Sequence, residues 1–247
     1  MSRSLSAWRQ VETVHQMVTL VRGDRGNFTS KSTPRKYAPD ENIQQKHIKI
    51  CLNIDPGTRS FEGEVTLTLS AKSKETRKIR LDAVEMKIIS VKAGSKAKKL
   101  DFRYDGKRLS FELPQALKPG KDQSVTIAYR VLDPIAGLYY IQPDSDYPEH
   151  PLQVWSQGQD EDSRHWFPCL DAPLHKCTTE IRASVPAGFV AISNGELKEH
   201  KALKGKREVW HYSLNVPHSP YLVALAVGRF ETVEEKAGDV AIRYMGE

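Results

Sequence analysis

Residues 47–69, HIKICLNIDPGTRSFEGEVTLTL, decide the fold class. From His47 to Ile54 apolar and polar residues alternate, the period-2 pattern of a strand with one face in a core. Pro56-Gly57 supplies turn chemistry, and from Phe61 to Leu69 the alternation returns, so the two runs are expected to pair as a hairpin. The same signature continues outward. Strands are predicted at 77–81, 86–91, 99–104 and 108–113, with Asp105-Gly106 as the hairpin signal between the last two. Another is predicted at 123–131, after the Pro119-Gly120 turn. Residues 134–151 read as a long loop around Gly137-Leu-Tyr-Tyr-Ile141, and strands resume at 177–185, 189–193, 207–216, 222–230 and 240–244. Short strands at this spacing, with no helical pattern between them, predict an all-β fold, an antiparallel sandwich or large curved sheet. Residues 40–232 read as one domain. The fresh strand after Gly238 gives residues 238–247 the character of the start of a further domain.

Composition narrows the function classes. The chain has 247 residues, 39% of them hydrophobic and 28% charged, as in an ordinary globular protein. Its net charge of +6 is concentrated at one end. Residues 1–38 hold Arg3, Arg9, Arg22, Arg25, Lys31, Arg35 and Lys36 against Glu12 and Asp24. Of the 37 basic and 31 acidic residues, 30 and 29 therefore remain for the rest of the chain. So neutral a body argues against a nucleic-acid-binding face, and Lys96–Lys99 reads as a solvated hairpin turn. The basic tail is expected to be disordered or weakly helical, with Leu5, Trp8 and Val11 at helical spacing. It lacks the apolar centre of a secretory signal but has some of the character of an organelle transit peptide. No run of 18 apolar residues exists to span a membrane. Cys51, Cys169 and Cys177 match no disulfide framework or zinc spacing and read as free thiols of a cytoplasmic protein.

Few residues suggest chemistry by themselves. Asp160, Glu161 and Asp162 are consecutive, so they cannot all face one site, and a solvated acidic loop is their simplest reading. None of the eight histidines forms an H-E-x-x-H, and His165 and His175 flank a turn without a further ligand nearby, so no metal site is expected. G-x-S-x-G, P-loop and G-x-G-x-x-G motifs are all missing. Trp155, Trp166 and Phe167 read as core anchors. Tyr139 and Tyr140 are candidates to line a cleft, with at least one expected in the core.

Residues 152–173, LQVWSQGQDEDSRHWFPCLDAP, say more. A buried strand runs into a polar acidic loop and then an aromatic-Pro-Cys turn. The S-Q-x-Q at Ser156–Gln159, Arg164 and the F-P-C-x-D-x-P from Phe167 to Pro173 resemble the signature of the amino-terminal domain of M1 zinc aminopeptidases. Three further segments agree in order: Gly137–Tyr140, the V-A-x-S-N-like run at 189–194, and the Y-L-x-A-x-x-V-G-x-F-like run at 220–230.

The resemblance implies a saddle-shaped β domain that precedes a thermolysin-like zinc domain. It implies that Gln159 accepts a hydrogen bond from the free α-amine of a peptide substrate and that Gln157 lines the same pocket; polar capping of a strand end is the plainer alternative for both. Arg164, Pro168 and Asp171 would hold the turn. No cofactor is expected in this chain, since the zinc ligands, the G-x-M-E-N segment and the transition-state Tyr belong to a catalytic domain downstream, expected as the partner in cis. The chain is therefore expected to be truncated before that domain and inactive alone. A second reading is a non-catalytic interaction module, because a transcription-initiation factor subunit carries the same domain. A carbohydrate-binding β-sandwich rests on fold analogy alone.

Overall fold

The computed structural model describes residues 42–246. In chain order its strands are β1 (Ile43–Asp55), β2 (Ser60–Ala71), β3 (Thr76–Asp82), β4 (Lys87–Ala93), β5 (Lys98–Leu100) and β6 (Phe102–Tyr104). Then come β7 (Arg108–Leu117), β8 (Gln123–Leu132), β9 (Gly137–Ile141), β10 (Gln153–Gln157), β11 (Cys177–Pro186) and β12 (Val190–Ser193). The last are β13 (Glu196–Leu203), β14 (Arg207–His218), β15 (Leu225–Gly228), β16 (Glu231–Ala237) and β17 (Val240–Gly246). The only helical pieces among the described residues are single 3-10 turns at Ser163–His165 and Pro220–Leu222.

Eight strands form the large sheet, in the order β13-β14-β11-β1-β2-β8-β4-β5. Its strands alternate as the sequence indicates: Ile48, Ile50, Leu52 and Ile54 of β1 and Val65, Leu67 and Leu69 of β2 are buried, while Glu62 and Glu64 face out. Smaller sheets, β12-β15-β10-β9 and β3-β7-β6, close over the same core, and β16 pairs with β17. The fold is all-β and open rather than a barrel.

Several elements depart from the sequence expectations. The run 99–104 is two strands, β5 on the large sheet, ending at the buried Leu100, and β6 on the three-stranded one, with Asp101 between them. The loop expected at 134–151 contains β9, and the polar edge strand β13 lies in a stretch with no strand signal. The strand expected at 240–244 is present as β17, and it pairs with β16, which had no strand signal of its own. Among the described strands one pairing is parallel, β1 with β11, in register from His47 with Thr178 to Asn53 with Ser184. The expectations for the tail, residues 1–38, lie outside the described residues.

Tyr129 of β8 ties the large sheet to the turn beyond β10. Fully buried, it donates its hydroxyl to the Trp166 carbonyl at 2.7 Å. Its ring has room because Gly63 lies opposite it on β2; a Cβ at 63 would come within 2.4 Å of the ring. Gly63→Ala should therefore overpack the core and cost about 1–3 kcal/mol. Tyr129→Phe, which leaves the Trp166 carbonyl buried without its donor, should cost a similar amount. Urea unfolding of the purified chain reads both losses, and midpoints equal to wild type would refute the packing described.

Candidate functional site

Strand β10 brings the expected site residues to one end of the four-stranded sheet. Gln157, its last residue, pairs with Gly137 of β9. Gly158 follows in a place where only glycine fits: a Cβ would meet the Tyr221 carbonyl oxygen at 2.6 Å and Ser163 Oγ at 3.1 Å. The Ser163 hydroxyl donates to the Pro220 carbonyl at 2.9 Å, and the Asp162 N–H to the Gly158 carbonyl at 2.9 Å. The chain is thus clamped on both sides of Gly158. Gln159 leaves the clamp exposed, its backbone N–H donating to Gln157 Oε1 at 3.1 Å. Two carboxamides at a fixed strand end, both exposed, offer N–H donors and carbonyl acceptors but no charge.

The acidic residues beside them are used in different directions. Glu161 accepts from the Arg164 guanidinium at 2.8 Å, Asp162 lies 3.8 Å from His165 Nε2, and Asp160 is exposed. No shared carboxylate site forms.

The turn that follows is buried from Trp166 through Ala172, Pro168 included. Arg164 donates to Asp171 Oδ2 from both its backbone N–H and its Nε at 3.0 Å, and from a terminal nitrogen to the Asp171 carbonyl at 2.8 Å. Asp171 N–H in turn donates to Asp82 Oδ2 at 3.2 Å, while the Asp82 and Cys169 backbones exchange bonds at 2.8 and 3.1 Å. Burial pushes the Asp171 carboxyl up to about 6, against the hydrogen bonds from Arg164 that pull it down. Cys169 and Cys177 are buried free thiols, both raised by burial, Cys177 to about 11.

The two tyrosines part company. Tyr140 is buried in the core, with its hydroxyl donating to the Ser60 carbonyl at 3.2 Å. Tyr139 stays half-buried and stacks on Trp155, ring centroids 4.8 Å apart and planes at 20°. Trp155, expected as a core anchor, is 40% exposed, because the alternation of β10 points Val154 inward instead. Sequence reading missed this Tyr139–Trp155 stack and the clamp around Gly158. A glycine between two glutamines was the available signal for the second.

Among the described residues no group of three His, Cys, Asp or Glu side chains is arranged to hold a metal ion.

A set of open sheets packed on one core, with a clamped polar pair at a strand end, defines an all-β domain. Residues 43–222 match the Peptidase M1 N-terminal domain, and the chain belongs to that family. Over 130 residues it is 34% identical to transcription initiation factor TFIID subunit 2 of Danio rerio, covering 50% of this chain and 11% of the relative. Over 206 residues it is 26% identical to leukotriene A-4 hydrolase of Xenopus laevis, covering 80% of this chain and 34% of the relative. The crystal structure of an M1 zinc metallopeptidase from Deinococcus radiodurans has the same fold, with a TM-score of 0.68 at 21% identity over 82% of this chain and 46% of that one. The chain spans between 11% and 34% of the length of these curated relatives.

Arg164→Met should leave the 1%-exposed Asp171 side chain without its cation, at a cost of roughly 3 kcal/mol at pH 8. A carboxyl whose pKa is higher folded than unfolded weakens the fold when ionised, so stability rises as pH falls from about 6 towards the unfolded value near 4. The deficit of Arg164→Met should shrink at pH 5, where Asp171 takes up a proton. Denaturation at the two pH values checks this, and a deficit that grows on acidification would contradict it.

Proposed function

We propose that this chain is the substrate-gating domain of a zinc-dependent aminopeptidase that removes N-terminal residues from peptides. The zinc and the hydrolytic water would reside in a separate catalytic domain. The observation that carries this reading is the clamped pair Gln157–Gly158–Gln159: Gln159 is exposed, while its backbone holds the neighbouring carboxamide in place. An ammonium group has only donors, so the Gln159 carbonyl oxygen is a suitable acceptor for the α-amine of a peptide. An acylated N-terminus keeps a single N–H donor and loses the charge, so it would bind more weakly. The domain would measure where the peptide begins, and the catalytic domain would cut next to that end. The free cysteines fit a cytoplasmic setting.

The TFIID subunit 2 relative favours a second reading, a non-catalytic interaction module of the same fold. The two differ in what Gln159 is for. On the enzyme reading it contacts the substrate; on the scaffold reading it has no such task.

Purified residues 1–247 should not hydrolyse aminoacyl anilides, with or without added zinc, and chelator-sensitive turnover by this chain would overturn the assignment of hydrolysis to another domain. In the complete product of the native gene, Gln159→Ala should lower kcat/KM for free-amine peptides roughly 10- to 100-fold, the worth of a hydrogen bond to a charged group. Gln159→Glu should retain activity, because a carboxylate accepts the same bond. Absence of aminopeptidase activity from that product would favour the scaffold.

A further inference from the structure

The three-stranded sheet carries a groove that the proposed function does not use. Strand β7 contains Pro114, which has no N–H to give to a ladder, and the pairing with β3 breaks there. Lys78 stands opposite Glu112 and Thr76 opposite Leu117, so the stretch from Leu113 to Ala116 bows out past Arg77 alone. The bow is held in place, because Gln123 at the start of β8 donates from its Nε2 to the Ala116 carbonyl at 2.8 Å. After it comes the turn from Lys118 to Lys121, where the Lys121 N–H donates to the Lys118 carbonyl at 3.2 Å and Gly120 takes a φ of +70°. Bulge and turn border a groove of about 440 Å³, whose lining includes Glu75, Arg77, Gln115, Lys118, Lys121 and Asp122. Its two acids are already taken: Lys118 lies 3.0 Å from Glu75, and Lys46 lies 2.5 Å from Asp122. Arg77 and Lys121, both exposed, have no acidic partner among the described residues. The groove therefore offers two uncompensated positive charges beside the exposed Gln115 carboxamide.

We propose that this groove binds a small phosphate monoester through Arg77 and Lys121. Such a group carries about two negative charges above its second pKa near 6, which matches the two free cations. The planar guanidinium takes two phosphate oxygens side by side, and the ammonium meets the third as a point charge. At about 440 Å³ the groove falls within the range of small-ligand sites, roughly 300–1,000 Å³, and has room for more than the phosphate itself. The rest of its lining is polar, with Gln115, Gln123 and the Glu75–Lys118 pair, so the organic part of the ligand is hydroxylated, as in a sugar phosphate. The groove shares no residue with the strand end around Gln157 and Gln159, and the inference stands apart from the proposed amine site.

Isothermal titration of the complete product of the native gene tests this, at pH 8 and about 0.15 M salt, where diffuse attraction to a charged surface is screened. Inorganic phosphate and glucose 6-phosphate are the probes. One saturable site is expected, tighter for glucose 6-phosphate and about tenfold weaker in either Arg77→Gln or Lys121→Gln. Arg103→Gln, which removes an exposed arginine of β6, should leave binding unchanged. Urea unfolding gives a second reading: glucose 6-phosphate should raise the midpoint of the wild type more than that of either groove variant. No saturable heat with either probe would overturn the proposal. Equal weakening by Arg103→Gln would overturn it as well, in favour of a diffuse charge effect. Succinate bound as tightly as glucose 6-phosphate would remove the phosphate class.

Discussion

The buried turn from Ser163 to Asp171 is the constraint on which the three sheets depend. A stretch of backbone enclosed in a core has to find a partner for each of its polar groups, or lose about 1–3 kcal/mol for each one left bare. Here the partners come from every side. Tyr129 of the large sheet reaches the Trp166 carbonyl, and Gln45 of β1 accepts from the Leu170 N–H at 3.0 Å. Asp82 of the three-stranded sheet exchanges backbone bonds with Cys169. Ser163 holds the Pro220 carbonyl, and Gly137 at the start of β9 has its Cα where a side chain would strike Asp162 and Trp166. Satisfying one turn thus fixes the relative placement of all three sheets, and with it the point where Gln157 and Gln159 emerge.

Arg164 and Asp171 show why such a turn carries a charged pair. Burial disfavours an ionised Asp171, and the two bonds that its carboxylate accepts from Arg164 offset part of that cost. The pair adds little net stability over a well-packed apolar substitute, but its geometry is directional. It permits one path of the chain between β10 and β11, which is the path that presents the glutamines.

How much of this was legible in the sequence depended on the range of the interaction. Alternation in β1, β2 and β8 and the Asp105-Gly106 turn are local signals, and those elements were readable. Strand β13, ELKEHKAL, escaped because an exposed edge strand carries charges on both sides and loses its period. Strand β9 escaped for the opposite reason: GLYYI is apolar throughout and sits between proline-rich segments, so no alternation distinguished it from a loop. The parallel contact of β1 with β11 joins residues some 130 positions apart and has no local trace. At the site, the Q-G-Q run could be singled out only by its family resemblance. The clamp around Gly158 needed Tyr221, more than 60 residues away, to become visible.

The exposure of Gln159 bears on what recognition by this domain can achieve. In water, a carboxamide oxygen that accepts from an ammonium group exchanges one hydrogen bond for another, and the net gain is small. The same bond grows stronger where water is excluded and the local dielectric falls. The clamp around Gly158 removes the backbone share of the entropic cost, because the strand end is already fixed before a ligand arrives. It does nothing for the solvation part. That part is met only where water is excluded from the site. On the proposed reading, an amine acceptor that is rigid but wet becomes selective only where water is excluded from Gln159.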